Sequence, residues 1–342
     1  MILKQPRRTS MNKQLEALLK KINKDYGEET IGVAKDLKYL NTDRISSGSL
    51  FLDWALGTND TNSPTSDEGG FPMGKLVELY GKESSGKTLI TLKTIAGAQK
   101  KGLNCMFIDS ENAFQKDFAE LHGVNTEELV LTRESKAEKV FDILADVLQD
   151  GSIKVVVVDS VASLVPEKEL DESTGQILMA PLARVMSKGL RKLNTLNKGG
   201  TLIIFINQLR ENPGAYGNPN YTPGGRALAY YTSVRVEVRA GEPIKEDKEQ
   251  IGHEIKFKVS KNKTAPPKRD GYFKFKYYEG IDQIDELVSL GLIREKITRK
   301  GAYYYLQDLE NGYQGRDNLE KALEQDEQLL QQTKLFIYGD DE

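Results

Sequence analysis

Cysteine is almost absent from this chain, with Cys105 the only one among 342 residues. That excludes an internal disulfide framework and suits a reducing compartment such as the cytoplasm. Histidine is nearly as scarce, with only His122 and His253, which argues against a zinc site of the usual Cys/His spacing. No window approaches the roughly 18 apolar residues of a membrane span, so no membrane partner is expected. The early basic residues Lys4, Arg7 and Arg8 are not followed by an apolar run, so no signal peptide is expected either. Positive charge is not in excess: 48 Lys and Arg against 51 Asp and Glu give a formal net charge of −3. A nucleic-acid site therefore has to be local, built from a groove or loops rather than from the field of the whole molecule.

What is present is an ordinary globular composition, 38% apolar and 29% charged, with length for one large domain or a main domain plus a small one. Residues 12–26 read as an amphipathic helix, because Leu15, Leu18, Leu19 and Ile22 share one face at a 3.6-residue period. Spacing alone leaves open whether that face packs on its own domain or elsewhere. Residues 58–70 are rich in Asn, Thr, Ser, Pro, Asp and Gly and cannot bury apolar surface, so they read as a surface loop or insert. From Lys75 onward, strands Leu76–Leu79, Cys105–Ile108, Val155–Val158 and Leu202–Ile206 alternate with helical segments such as Ala137–Leu148 and Leu182–Leu193. Such strands, apolar on both faces, predict an α/β fold with a mostly parallel central sheet covered on each side. Val234–Val238, Ile255–Val259 and Phe273–Tyr277 alternate with period two, which predicts an antiparallel extension. The expected division is an N-terminal helix and linker over 1–45, a core over 46–280, a small α+β domain over 281–335 and a short acidic tail over 336–342.

The sharpest motif is Gly81, Lys82, Glu83, Ser84, Ser85, Gly86, Lys87, Thr88, a full GxxxxGK[ST] between an apolar strand and a helical pattern. Glycines permit a tight loop whose N–H groups face phosphate oxygens, and the following helix adds its positive end. Lys87 can reach the β- and γ-phosphates of ATP, and the Thr88 hydroxyl can ligate Mg²⁺. The run Val155 to Val158 ends in Asp159, a second metal-side oxygen donor at a strand end. Glu111, just beyond the Cys105 strand, is placed to polarise an attacking water; a solvated surface glutamate is the plainer alternative. At the end of the Leu202 strand, Asn207 and Gln208 offer amides that can feel a γ-phosphate and pass its state onward.

Directly after these amides comes a polar segment, 209–226, with four glycines, three prolines and three charges. It is too long for a tight connection, so either a functional loop or an inert one is open. Tyr216 and Tyr221 could stack on bases, and Arg210 and Arg226 could meet phosphates. A second candidate loop, Glu167–Met179, precedes a helix carrying Arg184 and Arg191 seven residues apart, which puts both on one face; a solvated helix face is the simpler account.

These pieces together resemble the bacterial RecA-type recombinases over nearly the whole chain. The segments that carry the resemblance are GKLVELYGKESSGKT, FIDSENA, VVVVDSVASLVP, PLARVMSKGLRKL, IIFINQLR, GNPNYTPGGRAL, SVRVEVR and KVSKNKTAPP. The resemblance implies a RecA-like ATPase core with a polymerisation helix, and DNA-dependent hydrolysis of ATP with Mg²⁺. It also implies filaments on single-stranded DNA that pair with double-stranded DNA in recombination, repair and the SOS response. A single-strand-binding protein or a loader would be accessory partners. By the same resemblance Phe118 stacks on adenine, Gln208 senses the γ-phosphate, and Lys261 and Lys263 reach a neighbour's ATP. Met179, Ala180, Arg184 and Arg191 correspond to a first DNA loop and its helix. Arg210, Pro213, Gly214, Ala215, Tyr216, Gly224, Gly225 and Arg226 correspond to a second. The basic residues Arg294, Lys296, Arg299 and Lys300 would help capture duplex DNA.

The chain departs from the family pattern at Lys82, where proline is usual, at Leu178, often histidine, in a second loop one residue shorter, and in the 58–70 insert. These mark a divergent member, for which a phage genome is one fitting source. Two rivals stand beside it: a ring-forming replicative helicase built on the same core, against which the Lys261-Asn262-Lys263 strand end and the C-terminal region speak, and, from another class, a nucleotide-switched regulator of protein partners.

Overall fold

The structure is a computed structural model that describes residues 13–338, apart from 28–29, 34–42, 59–68, 172–180, 199, 212–219 and 307–311. The chain divides into two compact units, Met1–Thr42 and Asp43–Glu342. In the first, helix α1 (Lys13–Tyr26) has no buried residue, and Leu15 and Leu18 on its apolar face are 45% and 49% exposed. The Asn23 side chain closes the turn beyond it, donating to the Ile31 carbonyl and accepting from the Ile31 N–H.

The second unit begins with β1 (Arg44–Ile45), α2 (Leu50–Leu56) and β2 (Phe71–Pro72), β1 and β2 pairing antiparallel. Arg44 and Ile45, expected in the linker, belong to the core. The buried Arg44 guanidinium donates to the carbonyls of Leu56, Gly70 and Thr264, and burial lowers its pKa to about 10 despite Asp53 nearby. The 58–70 segment is pinched at its base by a Thr58–Gly69 bridge; its interior lies outside the described residues.

The main alternation runs β3 (Leu76–Gly81), α3 (Lys87–Lys100), β4 (Asn104–Asp109), α4 (Lys116–Leu121), β5 (Val130–Thr132), α5 (Ala137–Asp150), β6 (Ile153–Asp159), α6 (Glu167–Asp171), α7 (Pro181–Leu196) and β7 (Leu202–Gln208). Then come a two-stranded ribbon of β8 (Arg210–Glu211) and β9 (Asn220–Tyr221), α8 (Arg226–Tyr231), and the long strands β10 (Val234–Glu246), β11 (Glu249–Asn262) and β12 (Asp270–Lys276), closed by β13 (Gly280–Ile281). Nine of these strands form one sheet in the order β13-β12-β11-β10-β3-β7-β6-β4-β5. Pairing is parallel from β10 to β5 and antiparallel from β10 to β13, as the two strand patterns predict.

The valine run of β6 shows why these strands are apolar throughout. Side chains alternate between faces, so Val155 and Val157 enter a core with α3 and β10–β12, while Val156 and Val158 enter another with α5 and α7. Strand β7 divides likewise, Ile204 and Ile206 facing one core and Ile203 and Phe205 the other. Cys105 lies inside the first core, where burial pushes its thiol up to about 12, so it is a packing residue rather than a nucleophile.

Beyond β13, α9 (Gln283–Ile293), the three-stranded sheet of β14 (Ile297–Lys300), β15 (Tyr303–Leu306) and β16 (Tyr313–Gln314), α10 (Arg316–Gln325) and α11 (Glu327–Tyr338) share a small core of their own. They remain within the same compact unit as the large sheet. Helix α11 extends past residue 335, because fully buried Ile337 is part of that small core, so residues 336–338, expected in the tail, belong to the helix; residues 339–342 lie outside the described residues. Two carboxylates of α9 fasten this region. Asp285 meets Lys274 of β12 and Arg316 of α10, each at 2.7 Å. Glu286, wholly buried, accepts from the Ser49 hydroxyl and from the N–H groups of Leu50 and Phe51 at 3.1 and 3.2 Å.

Burial lifts the Glu286 carboxyl to about 8 against those donors. The folded chain then holds this proton more tightly than the unfolded chain, so the site's stabilising contribution declines as pH rises from the ordinary glutamate range through the folded value. The slope is at most ~1.4 kcal/mol per pH unit. Thermal melts of wild type and Glu286→Gln between about pH 5 and 8.5 should show the stability gap between them shifting steadily against wild type as pH rises. A gap that stays constant would mean this carboxyl does not titrate there.

Candidate functional site

The parallel strands all end at one edge of the sheet, and their last residues stand side by side: Gly81 opposite Gln208, and Asp109 opposite Asp159. The phosphate loop leaves that edge. Ser84 and Gly86 have φ of 55° and 97°, and a Cβ on Gly86 would come within 2.5 Å of Ile255, so the loop closes only with glycine there. Lys87, on the first turn of α3, is 8% exposed, and its ammonium donates to the carbonyls of Gly81 and Lys82 at 3.1 and 2.6 Å and to Ser85 at 3.3 Å. Burial lowers its pKa, opposed by Asp159, Glu111 and Glu83. Lys82 and Glu83 sit on the exposed rim of the loop.

The Thr88 hydroxyl donates to Asp159 at 3.0 Å. Asp159 is raised to about 6, first by burial and then by Glu111, with the Thr88 hydrogen bond and Lys87 opposing. Among the described residues no cluster of three His, Cys, Asp or Glu could cage a metal. Two hard oxygen donors completed by substrate phosphates are what Mg²⁺ takes, and Thr88 and Asp159 would hold it.

Glu111, solvent-exposed, is held by three donors on one oxygen: Ser160 at 2.5 Å, Ser163 at 3.3 Å and the Gln208 amide at 3.2 Å. Sequence reasoning found Glu111 and Gln208 but missed the two serines, whose only signal was their place just after the Asp159 strand end. Asp109 was also missed; it accepts from the N–H groups of Ala113 and Phe114 at 2.9 and 3.1 Å and so shapes the turn carrying Glu111. One cavity joins these groups to an apolar end. Thr88, Glu111 and Asp159 line it beside Leu92, Phe107, Phe114 and Phe118. Phe118 is 36% exposed, its ring edge-on to His122 at 4.4 Å, and a flat apolar base fits that end.

Of the candidate DNA residues, those described lie on α7, on the β8–β9 ribbon and at the start of α8. Arg184 and Arg191 are exposed on α7. Gly224 and Gly225 have φ of 84° and 76°, and a Cβ on Gly225 would lie 3.0 Å from Ala183 of α7. The base of the second loop is thus seated on the helix of the first. Arg210 pairs with Tyr221 across the β8–β9 ribbon, and Arg210, Tyr221 and Arg226 are exposed. Met179, Ala180, Pro213, Gly214, Ala215 and Tyr216 lie outside the described residues.

Lys261 and Lys263 are not brought to the edge that carries the phosphate loop. β11 runs antiparallel to β10, which runs parallel to β3, so β11 ends toward the edge where the parallel strands begin. Lys261 donates to the carbonyls of Ala229 and Tyr230 at 2.7 and 3.0 Å. Its pKa is lowered to about 8 by burial, with Lys263 and Arg235 adding and Glu78 opposing.

The sequence matches the model of the RecA N-terminal domain over residues 13–282. It is 41% identical to Protein RecA of Mycoplasma mobile over 321 residues, 93% of this chain and 94% of that protein. The chain belongs to the RecA family. Similar agreement holds with Protein RecA of Lactiplantibacillus pentosus, 40% identical over 96% of this chain and 85% of that protein, and of Bacillus licheniformis, 40% over 92% and 88%. As a RecA-family member the chain is a recombinase of DNA recombination and repair and a DNA-dependent ATPase. No helix among its described residues is long and apolar enough to cross a membrane.

Glu111 is the exposed carboxylate that lines the cavity beside Thr88 and Asp159, and a role as the base toward water can be tested there. Glu111→Gln keeps an acceptor for Ser160 and Ser163 while abolishing basicity. Binding of a fluorescent ATP analogue should stay within about twofold of wild type, while DNA-stimulated hydrolysis falls by about 10²–10⁴. Hydrolysis at wild-type rate would remove Glu111 from the reaction.

Proposed function

We propose that the chain binds ATP with Mg²⁺ at Lys87, Thr88 and Asp159, polymerises on single-stranded DNA, and promotes pairing and strand exchange with double-stranded DNA. The observation that carries the reading is a pair of amides on adjacent residues. Gln208 donates to Glu111 at 3.2 Å, and Asn207 donates to the Pro223 carbonyl at 3.1 Å. A γ-phosphate that draws Gln208 off Glu111 frees the base for water and shifts the peptide on which the second loop rests. Nucleotide state and DNA contact then become one equilibrium, reciprocal by linkage.

Filament formation draws on two further features. Lys261 and Lys263 stand at the far edge from their own phosphate loop, which supports a role at a neighbouring copy's ATP. The exposed Leu15 and Leu18 face of α1 suits an adjacent protomer. Arg184, Arg191, Arg210 and Arg226 meet phosphates, with Gly224 and Gly225 bringing backbone close to the strand, so binding is salt-dependent and weakly sequence-selective. Phe118 takes the adenine. The C-terminal region, with Arg299 and Lys300 exposed on β14, receives duplex DNA. The setting is the cytoplasm, where a single-strand-binding protein or loader acts on the same DNA.

ATP hydrolysis with and without single-stranded DNA, on wild type and Lys87→Ala, with electron microscopy of the assemblies, tests this. Strong stimulation with continuous helical filaments, both lost in Lys87→Ala, is expected. DNA-independent turnover would point to a switch protein, and closed rings to a helicase.

A further inference from the structure

One charged residue in the middle of the sheet has no part in the chemistry above. Glu78, at the centre of β3, is 0% exposed among Val77, Leu79 and the strands on either side. Its two oxygens are divided between neighbours. Oε1 accepts from the Asn207 amide of β7 at 3.0 Å, and Oε2 meets the Arg235 guanidinium of β10 at 2.6 Å. An apolar residue would fill a buried strand at lower cost, since a carboxylate must be fully paired to be tolerated there. The pairing is what distinguishes this position.

Followed outward on one flank, Asn207 also donates to the Pro223 carbonyl and accepts from the Gln208 N–H at 3.0 Å. That flank reaches both the Gln208–Glu111 contact and the corner of the second loop. On the other flank Arg235 lies directly opposite Lys261 in the β10–β11 ladder. Its guanidinium sits 4.6 Å above the Tyr80 ring, and its carbonyl accepts from Ser260, which in turn takes the Tyr80 hydroxyl at 3.1 Å. Lys261 then grips the last turn of α8, whose first residue follows Gly225. A closed path of strand, carboxylate, ladder and helix thus joins the two edges of the sheet.

We propose that Glu78 is a positioning residue that couples the nucleotide state of its own protomer, read at Gln208 and Asn207, to the placement of Lys261, the cation lent to the neighbouring protomer. This rests on the reading of Lys261 and Lys263 as groups that act on a neighbour's ATP. Hydrogen bonds in such a buried chain reinforce one another, and a displacement of Asn207 is transmitted because the surrounding core is close-packed and does not absorb it.

The test is DNA-stimulated ATP hydrolysis by the full chain on oligo-dT, for wild type, Glu78→Gln, Tyr80→Phe and Lys261→Ala. Glu78→Gln keeps the bond to Asn207 and removes the charge that Arg235 holds. The ratio of DNA-stimulated to DNA-free turnover should fall by about tenfold, while binding of a fluorescent ADP analogue without DNA stays within about twofold. The alkaline limb of its pH–rate profile should also move to lower pH, because Glu78 raises the Lys261 pKa against Lys263, Arg235 and burial; a purely structural role would leave that limb in place. Tyr80→Phe removes one hydroxyl at the far flank, with little threat to folding, and should lower the stimulation ratio in the same direction without moving the limb. Wild-type ratios in both variants overturn the proposal, as does a Glu78→Gln chain that fails to fold alongside an unaffected Tyr80→Phe. Lys261→Ala separates the two layers: full activity in that variant defeats the neighbour-site reading itself, whatever Glu78 shows.

Discussion

The strands β3, β7 and β6 have apolar side chains packed on both faces, α3 and the antiparallel strands on one side and α5 and α7 on the other. Burial of that kind contributes about 25 cal/mol per Å² of apolar surface removed from water, and it leaves little room for polar chemistry within the sheet. Functional groups are therefore driven to the strand ends. Because five adjacent pairings are parallel, the carboxyl ends coincide. Gly81, Asp109, Asp159 and Gln208 arrive at one edge without any loop having to carry them there.

The same constraint gives meaning to the polar residues that do lie inside. Glu78 and Asn207 are both 0% exposed, and each is tolerated only because its partners are supplied by the adjacent strands. Removing one member of such a set leaves the others unsatisfied, which costs about 1–3 kcal/mol per neutral group and more where charge is involved. Such positions fix strand order more strictly than apolar ones, since valines can be exchanged between neighbouring strands and an Asn–Glu–Arg row cannot.

Much of this was legible in the sequence because it obeys short-range rules. The glycine-lysine-threonine loop, the doubly apolar strands and the period-two strands each announce their local structure, and strand ends locate Asp159, Glu111 and Gln208. What stayed hidden depends on which strands become neighbours. Ser160 and Ser163 look ordinary until the β4–β6 pairing sets Glu111 above them. Glu78 lies within a strand read simply as apolar, with no hint that β7 and β10 would flank it with Asn207 and Arg235. The boundaries near Arg44 and Ile337 were misjudged for a related reason: both residues are claimed by distant partners, the Thr264 turn and the α9 core, that local composition does not reveal.

If Lys261 and Lys263, at the edge opposite the phosphate loop, serve a neighbour's ATP as proposed, a consequence follows for any row of copies. Each copy then offers a socket on one side and a plug on the other, and a finite row always contains one fewer completed sites than members. One terminus carries a nucleotide pocket that nobody completes, and the other carries lysines with nothing to complete. The two termini are chemically unlike even though every copy is identical. A row built this way has a head and a tail, and the lifetime of bound nucleotide at its head differs from that everywhere behind it.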